Sequence, residues 1–258
     1  MKKSKLLILA VLFLTVFSLA SCDKEPGLDP NRLLIDQMKA VTDSIIQNTD
    51  VPGIVALVVD HKRNIDWLYA AGYSDIPNKL PMDGSNTFRI GSNTKTFTGT
   101  VLLQLVDEGK LALSDKLSKF YPDFPNAESI TIAMLCNMSS GINNYSDNPI
   151  WQEAIFTNPT KVWTPMESVD IGFSEEFYFS PGSGWHYSNT NTIILGMIIE
   201  KLTGKTLESE VENRIIKPLN LTNTGLLTSG LNFPGKHGRG YYAGEYEEGG
   251  DYTEFFDR

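Results

Sequence analysis

The chain has 258 residues, of which 41% are hydrophobic and 21% charged, with 21 Gly, 13 Pro and two Cys. That composition excludes a disordered, collagen-like or disulfide-stapled chain and suits a core-forming protein of one or two domains. A formal charge of −9 at pH 7 excludes nucleic acid as a primary partner, because that role needs a basic face to displace counterions from phosphates.

Lys2, Lys3 and Lys5 precede an apolar run from Leu6 to Ala20. The run falls short of the roughly 20 residues of a permanent membrane helix and suits the core of a cleaved secretory signal. Residues 1–21 are therefore expected to be removed, which takes away three lysines and no acids. The junction Leu19-Ala20-Ser21-Cys22 resembles the lipobox of bacterial lipoproteins. That resemblance implies lipid on Cys22 and an exported protein anchored at the periplasm or cell surface without a transmembrane helix. Cys136 is then left alone, so no intramolecular disulfide can form and a buried, inert thiol is expected. With no His nearby in sequence to lower its pKa, a nucleophilic Cys136 is disfavoured. Residues 22–31, charged and rich in Pro and Gly, read as a solvated tether, and the folded part is expected from residue 32 onward.

Between Arg32 and Asn48, Leu34, Met38, Val41 and Ile45 recur at helical spacing and predict an amphipathic helix with those four residues inward. Ile54 to Asp60 and Ile65 to Ala71, separated by His61-Lys62-Arg63-Asn64, read as a β-hairpin. Residues 74–87 are turn-rich. A helix is expected from Ser92, burying Phe97, Val101, Leu102, Leu105 and Val106 and stopping near Gly109. Helices and loops then dominate to Ile216, with Ile193 to Leu202 the clearest apolar helix. The tail from Phe233 is rich in Gly, Tyr and acids, with a short strand expected at Tyr241-Tyr242. Strands are thus concentrated early and helices in the middle, and the expected returning strands are missing.

Chemistry gathers at two places. Ser92 and Lys95 form Ser-x-x-Lys where a helix begins, so the amine can approach the hydroxyl from the same helical face. A serine is a poor nucleophile at its free pKa and needs such a partner. The positive end of the helix dipole favours a developing alkoxide. Gly91 would let a substrate approach the backbone, where the Ser92 N–H could donate to an oxyanion. The pattern alone is weak: a second copy, Ser21 to Lys24, straddles the cleavage site, and Ser92 by itself reads as a helix-capping serine. Tyr187 to Asn189 forms the one Tyr-x-Asn, on a loop entering the next apolar helix. Joint occurrence of the two patterns in these contexts favours catalysis.

The segments Phe88-Arg89-Ile90-Gly91-Ser92-Asn93-Thr94-Lys95 and Pro181-Gly182-Ser183-Gly184-Trp185-His186-Tyr187-Ser188-Asn189, with Leu195 to Lys205, resemble the class C β-lactamase and D-alanyl-D-alanine carboxypeptidase family of penicillin-recognising serine hydrolases. The resemblance runs over roughly residues 35–258. It implies an α+β fold in which an antiparallel sheet flanked by helices carries an all-helical subdomain. It further implies Ser92 as the acylated nucleophile, Lys95 as the amine that tunes it, Tyr187 as general base and then acid, and Asn189 as a hydrogen-bond partner of the substrate amide. No metal or organic cofactor is implied. Substrates would be D-alanyl-D-alanine peptides of peptidoglycan, β-lactams or small esters.

Cys136-Asn137-Met138 departs from the polar pattern usual in the family, and the third family motif, a Lys-Thr-Gly or His-x-Gly strand, is not in place. Lys236-His237-Gly238 comes too soon after Tyr187 and reads instead as a loop. Residues 32–258 are accordingly expected to hold the front and middle of a larger domain, with the C-terminal strands absent. Two alternatives to a serine hydrolase remain at this point: a cell-wall-binding lipoprotein without turnover, and an inactive fragment. His61, His186 and His237 are dispersed without metal-ligand spacing, and no Gly-x-Ser-x-Gly elbow occurs.

Overall fold

A computed structural model of the chain describes residues 30–158, 161–228 and 235–241. The expected signal segment, Cys22 and Tyr242 lie outside the described residues. The contacts cluster into two compact units, divided between Gly72 and Tyr73.

In the first unit, helix α1 (Arg32–Asn48) packs on strand β1 (Gly53–Asp60), which pairs antiparallel with β2 (Ile65–Asp75) from Gly53↔Gly72 to Asp60↔Ile65. Asp60 closes the hairpin by accepting the N–H groups of Lys62 and Arg63. The expected helix and hairpin are both present, but the buried face of α1 is turned by about one residue. Leu34, Val41 and Ile45 are exposed, whereas Thr42 is buried and Ile35, Met38 and Ile46 are half-buried. Thr42 can point inward because its hydroxyl donates to the Met38 carbonyl, and Asp43 beside it accepts the Tyr69 hydroxyl at 2.7 Å. A periodicity count of apolar residues has no means of registering that satisfied polar pair.

In the second unit, the end of β2 pairs with β3 (Leu80–Pro81). The helices that follow hold the core. They are α2 (Thr94–Asp107), α3 (Ile132–Cys136), α4 (Pro149–Thr157), α5 (Pro165–Phe173), α6 (Asn189–Thr203) and α7 (Leu207–Val211), which runs into a π-helical turn at Glu212–Ile216. Helix α6 is central, packing against α2, α3 and α5. Ile194, Ile198 and Ile199 are fully buried there with Val101, Leu102 and Leu105 of α2 and Leu135 of α3. Gly204 ends α6 in the left-handed conformation that stops a helix without a Cβ clash. Arg214 reaches both Glu108, just past α2, and the buried Glu210 of α7, so the one inward carboxylate of that helix is paired.

Tyr241 is not in a strand; its hydroxyl accepts the Ile76 N–H at 2.7 Å. Cys136 is exposed rather than buried, because it is the last residue of a single-turn helix whose inward positions are Ile132 and Leu135. Neighbouring atoms still desolvate its sulfur and push the thiol pKa up, which disfavours the reactive thiolate.

Replacement of Ile198 by Ala in the centre of this core is expected to cost about 2–5 kcal/mol through lost burial and a residual cavity. Urea unfolding of wild type and variant measures it, and a midpoint shift equivalent to under 1 kcal/mol would mean that α6 is not the centre of the core.

Candidate active site

Ser92 lies not in α2 itself but in a 3-10 turn, Gly91–Asn93, that leads into it. Gly91 holds φ +53° with open space where a Cβ would sit, so the backbone angle rather than crowding calls for glycine. The turn aims the Ser92 side chain along the same face as Lys95. Lys95 Nζ donates to Ser92 Oγ at 3.1 Å and to Asn189 Oδ1 at 2.6 Å. Ser92 Oγ and the Tyr187 hydroxyl are 2.6 Å apart, and the Lys95 ammonium stands 4.9 Å from the centre of the Tyr187 ring. All four residues singled out in the sequence therefore converge on one cluster.

Tyr187 and Asn189 reach it because two irregular segments are zipped together. The Tyr178 N–H donates to Gly141 O, Gly182 N–H to Ser139 O and His186 N–H to Met138 O. The Ser188 and Thr190 hydroxyls both donate to Asn143 O, and Ser140 Oγ donates to Asn191 Oδ1 in the buried interior. Gly141 is required where the strands of this zipper touch: it has φ +78°, and a Cβ there would stand 2.1 Å from the Phe179 carbonyl oxygen. The segment with the altered polar pattern, Cys136-Asn137-Met138, contributes to the same zipper through its backbone and through Met138 Sδ, which accepts from Asn191 Nδ2.

Burial pushes the Tyr187 phenol pKa up, but hydrogen bonding with Lys95 and Ser92 and the charge of Lys95 outweigh it, leaving the group below its ordinary value. The lowered pKa leaves more of Tyr187 as phenolate than in a free tyrosine, and the phenolate is the form that can take the Ser92 proton.

Three residues at the site carried no recognisable sequence signal. Ser146 Oγ accepts from Asn189 Nδ2 at 3.0 Å, and Asn144 Oδ1 accepts the Asn189 N–H at 2.9 Å. Tyr145 comes close enough that burial, and then the charge of Tyr187, raise its phenol pKa. All three sit in a polar stretch that reads in sequence as an ordinary loop. Lys236, in contrast, directs its ammonium to Asp83 at 2.8 Å, while its carbonyl accepts the Thr87 N–H and His237 bridges to Thr87. Among the described residues, no group of three His, Cys, Asp or Glu is placed to hold a metal ion.

The family model described as Beta-lactamase matches residues 33–249, and the chain belongs to that family. It is 30% identical over 206 residues to Protein flp of Staphylococcus aureus (strain NCTC 8325 / PS 47), covering 78% of this chain and 40% of that protein. Among solved structures it is similar to a D-stereospecific amidohydrolase from Streptomyces sp., at 35% identity and a TM-score of 0.70, over 78% of this chain and 60% of that one. It is also similar to the D-amino acid amidase from Ochrobactrum anthropi SV3, at 32% identity and a TM-score of 0.72, over 86% and 63%. The chain thus spans less than half of the curated relative and about six tenths of these solved chains. The fold is α+β of the β-lactamase kind, with a small antiparallel sheet and many helices.

Lys95→Met is expected to raise the Tyr187 pKa, because the phenolate loses its neighbouring cation. Ultraviolet titration checks this, with Tyr187→Phe identifying the transition. A Tyr187 transition that does not move would exclude Lys95 as the source of the depression.

Proposed function

We propose that the chain is a serine hydrolase that transfers an acyl group to Ser92 and then to water, acting on amides or esters of D-configured amino acids. D-alanyl-D-alanine peptides fall in this class, and β-lactams and small esters are further acyl donors that the same chemistry would accept. The observation that carries the reading is the line of hydrogen bonds from Tyr187 OH through Ser92 Oγ and Lys95 Nζ to Asn189 Oδ1. The D-specific amide hydrolases among the similar structures support the substrate class.

In this reading the Tyr187 oxygen takes the Ser92 proton as Oγ bonds to the substrate carbonyl carbon. Lys95 keeps both Ser92 and the phenolate in a positive field, and the Ser92 N–H donates to the oxyanion. Collapse breaks the bond to the leaving amine or alcohol, to which Tyr187 returns the proton. Water then adds to the acyl carbon, gives one proton to Tyr187, and the acid departs as Ser92 recovers that proton. Asn189 Nδ2 donates to the substrate amide.

A reading as a cell-wall-binding protein without turnover draws on the third family motif, a Lys-Thr-Gly or His-x-Gly strand, which is not in place in the sequence. The two separate in one experiment. Under the hydrolase reading, incubation with a fluorescent penicillin gives a covalent adduct by intact mass, and a chromogenic D-alanine amide is hydrolysed. Ser92→Ala is expected to abolish the adduct and lower kcat/KM at least about 1,000-fold, and Tyr187→Phe to lower it about 100-fold or more. Saturable, non-covalent binding with no turnover would instead establish the binding reading.

Export and lipid anchoring at Cys22 belong to the same proposal and rest on the Lys-rich start, the short apolar run and the Leu19-Ala20-Ser21-Cys22 junction. The full chain expressed in a bacterium is expected to partition with detergent and to yield an acylated peptide beginning at Cys22, and Cys22→Ala to lose both. A soluble chain still carrying residues 1–21 would rule this out.

A further inference from the structure

The carboxamide of Asn189 has one acceptor oxygen and two N–H donors. Oδ1 accepts from the Lys95 ammonium at 2.6 Å. Turning the amide over would set its NH2 group against that cation, so the charge decides the orientation and points Nδ2 away from Lys95. One N–H of Nδ2 is then taken by Ser146 Oγ at 3.0 Å, from a turn 43 residues earlier in the chain. The other is left for a substrate.

The turn that presents Ser146, Tyr145–Asp147, is itself held in place. Asn144, immediately before it and almost fully buried, accepts the Asn189 backbone N–H. The Tyr145 N–H donates to Thr190 Oγ1 at 3.1 Å, and the Tyr145 ring packs edge-on against Trp151 at 5.5 Å. Gln152 Nε2 donates to the Ser146 carbonyl. Backbone and side chain of Asn189 are thus gripped by Asn144 and Ser146 of one braced loop, rather than left to rotate at the start of α6.

We infer that Ser146 is a positioning residue: through its hydroxyl it holds the Asn189 carboxamide so that Oδ1 stays on Lys95 while the second N–H faces the substrate amide. This rests on the proposal that Asn189 meets the substrate, and it adds the residue that sets its angle. A hydrogen bond to a hydroxyl that pre-orients one donor acts mainly on substrate binding. Ser146→Ala is therefore expected to raise KM for a chromogenic D-alanine amide about tenfold, which corresponds to about 1.4 kcal/mol, with kcat within about threefold. Ser146→Thr, which keeps the hydroxyl, is expected to return KM to within about threefold of wild type.

The full chain in each form would be assayed for KM and kcat, for thermal midpoint, and for exchange of the Asn189 side-chain amide protons by NMR. Support is a KM effect rescued by Thr, an unchanged midpoint, and one Asn189 proton that exchanges slowly in wild type and fast in Ser146→Ala. Unchanged kcat/KM in Ser146→Ala overturns the inference, as does a loss in kcat that follows a lowered midpoint and is not rescued by Thr. If wild type neither forms the penicillin adduct nor turns over, while the slow Asn189 proton still depends on Ser146, then the catalytic reading has failed and the positional contact has not.

Discussion

The half-buried ammonium of Lys95 is the constraint around which the second unit is organised. A cation drawn out of bulk water must be repaid by acceptors, and charge-assisted hydrogen bonds are the strongest available. Lys95 finds two, Ser92 Oγ and Asn189 Oδ1, and lies against the ring of Tyr187. These partners come from the turn before α2 and from the first residues leading into α6. Both contacts form only where two helices nearly a hundred residues apart begin at the same point in space.

That convergence is a packing result. Helices α2 and α6 meet through fully buried aliphatic side chains, Val101, Leu102 and Leu105 against Ile194, Ile198 and Ile199. Burial of this kind is non-directional and sets the distance between the helices, not the angle of any polar group. The angle is set by the zipper of segments 138–148 and 178–191, where backbone carbonyls and small hydroxyls hold the approach to Tyr187 and Asn189. Gly141 is the tightest point of that zipper, since any side chain there would displace the Phe179 backbone. Core and zipper therefore divide the work: one brings the site together and the other orients it.

Much of this was legible in the chain. Apolar spacing located α2 and α6, and alternation with a polar turn located the β1–β2 hairpin. Ser92, Lys95, Tyr187 and Asn189 could be named because two local motifs of weak spacing stand together in segments that resemble a known family. The inward face of α1 was misplaced, because Thr42 and Asp43 are accommodated by Met38 O and Tyr69, partners that a count of apolar residues ignores. Cys136 came out on the surface because its expected burial rested on the usual habit of an unpaired cysteine, and in a single helical turn Ile132 and Leu135 take the inward positions. Asn144, Tyr145 and Ser146 were unreadable, since polar residues in a loop look alike until the segment that they contact is known.

The sequence by itself determined the hairpin, the approximate places of α2 and α6 and the two local motifs, Ser92 to Lys95 and Tyr187 to Asn189, because each depends on residues within a few positions of one another. Only the tertiary structure decided that Lys95 bridges Ser92 and Asn189, that Ser146 takes one N–H of that asparagine, and that Lys236 turns to Asp83. Those outcomes are choices among many possible partners for a polar side chain, and hydrogen-bond partnership across the fold is settled by where the core places each backbone segment.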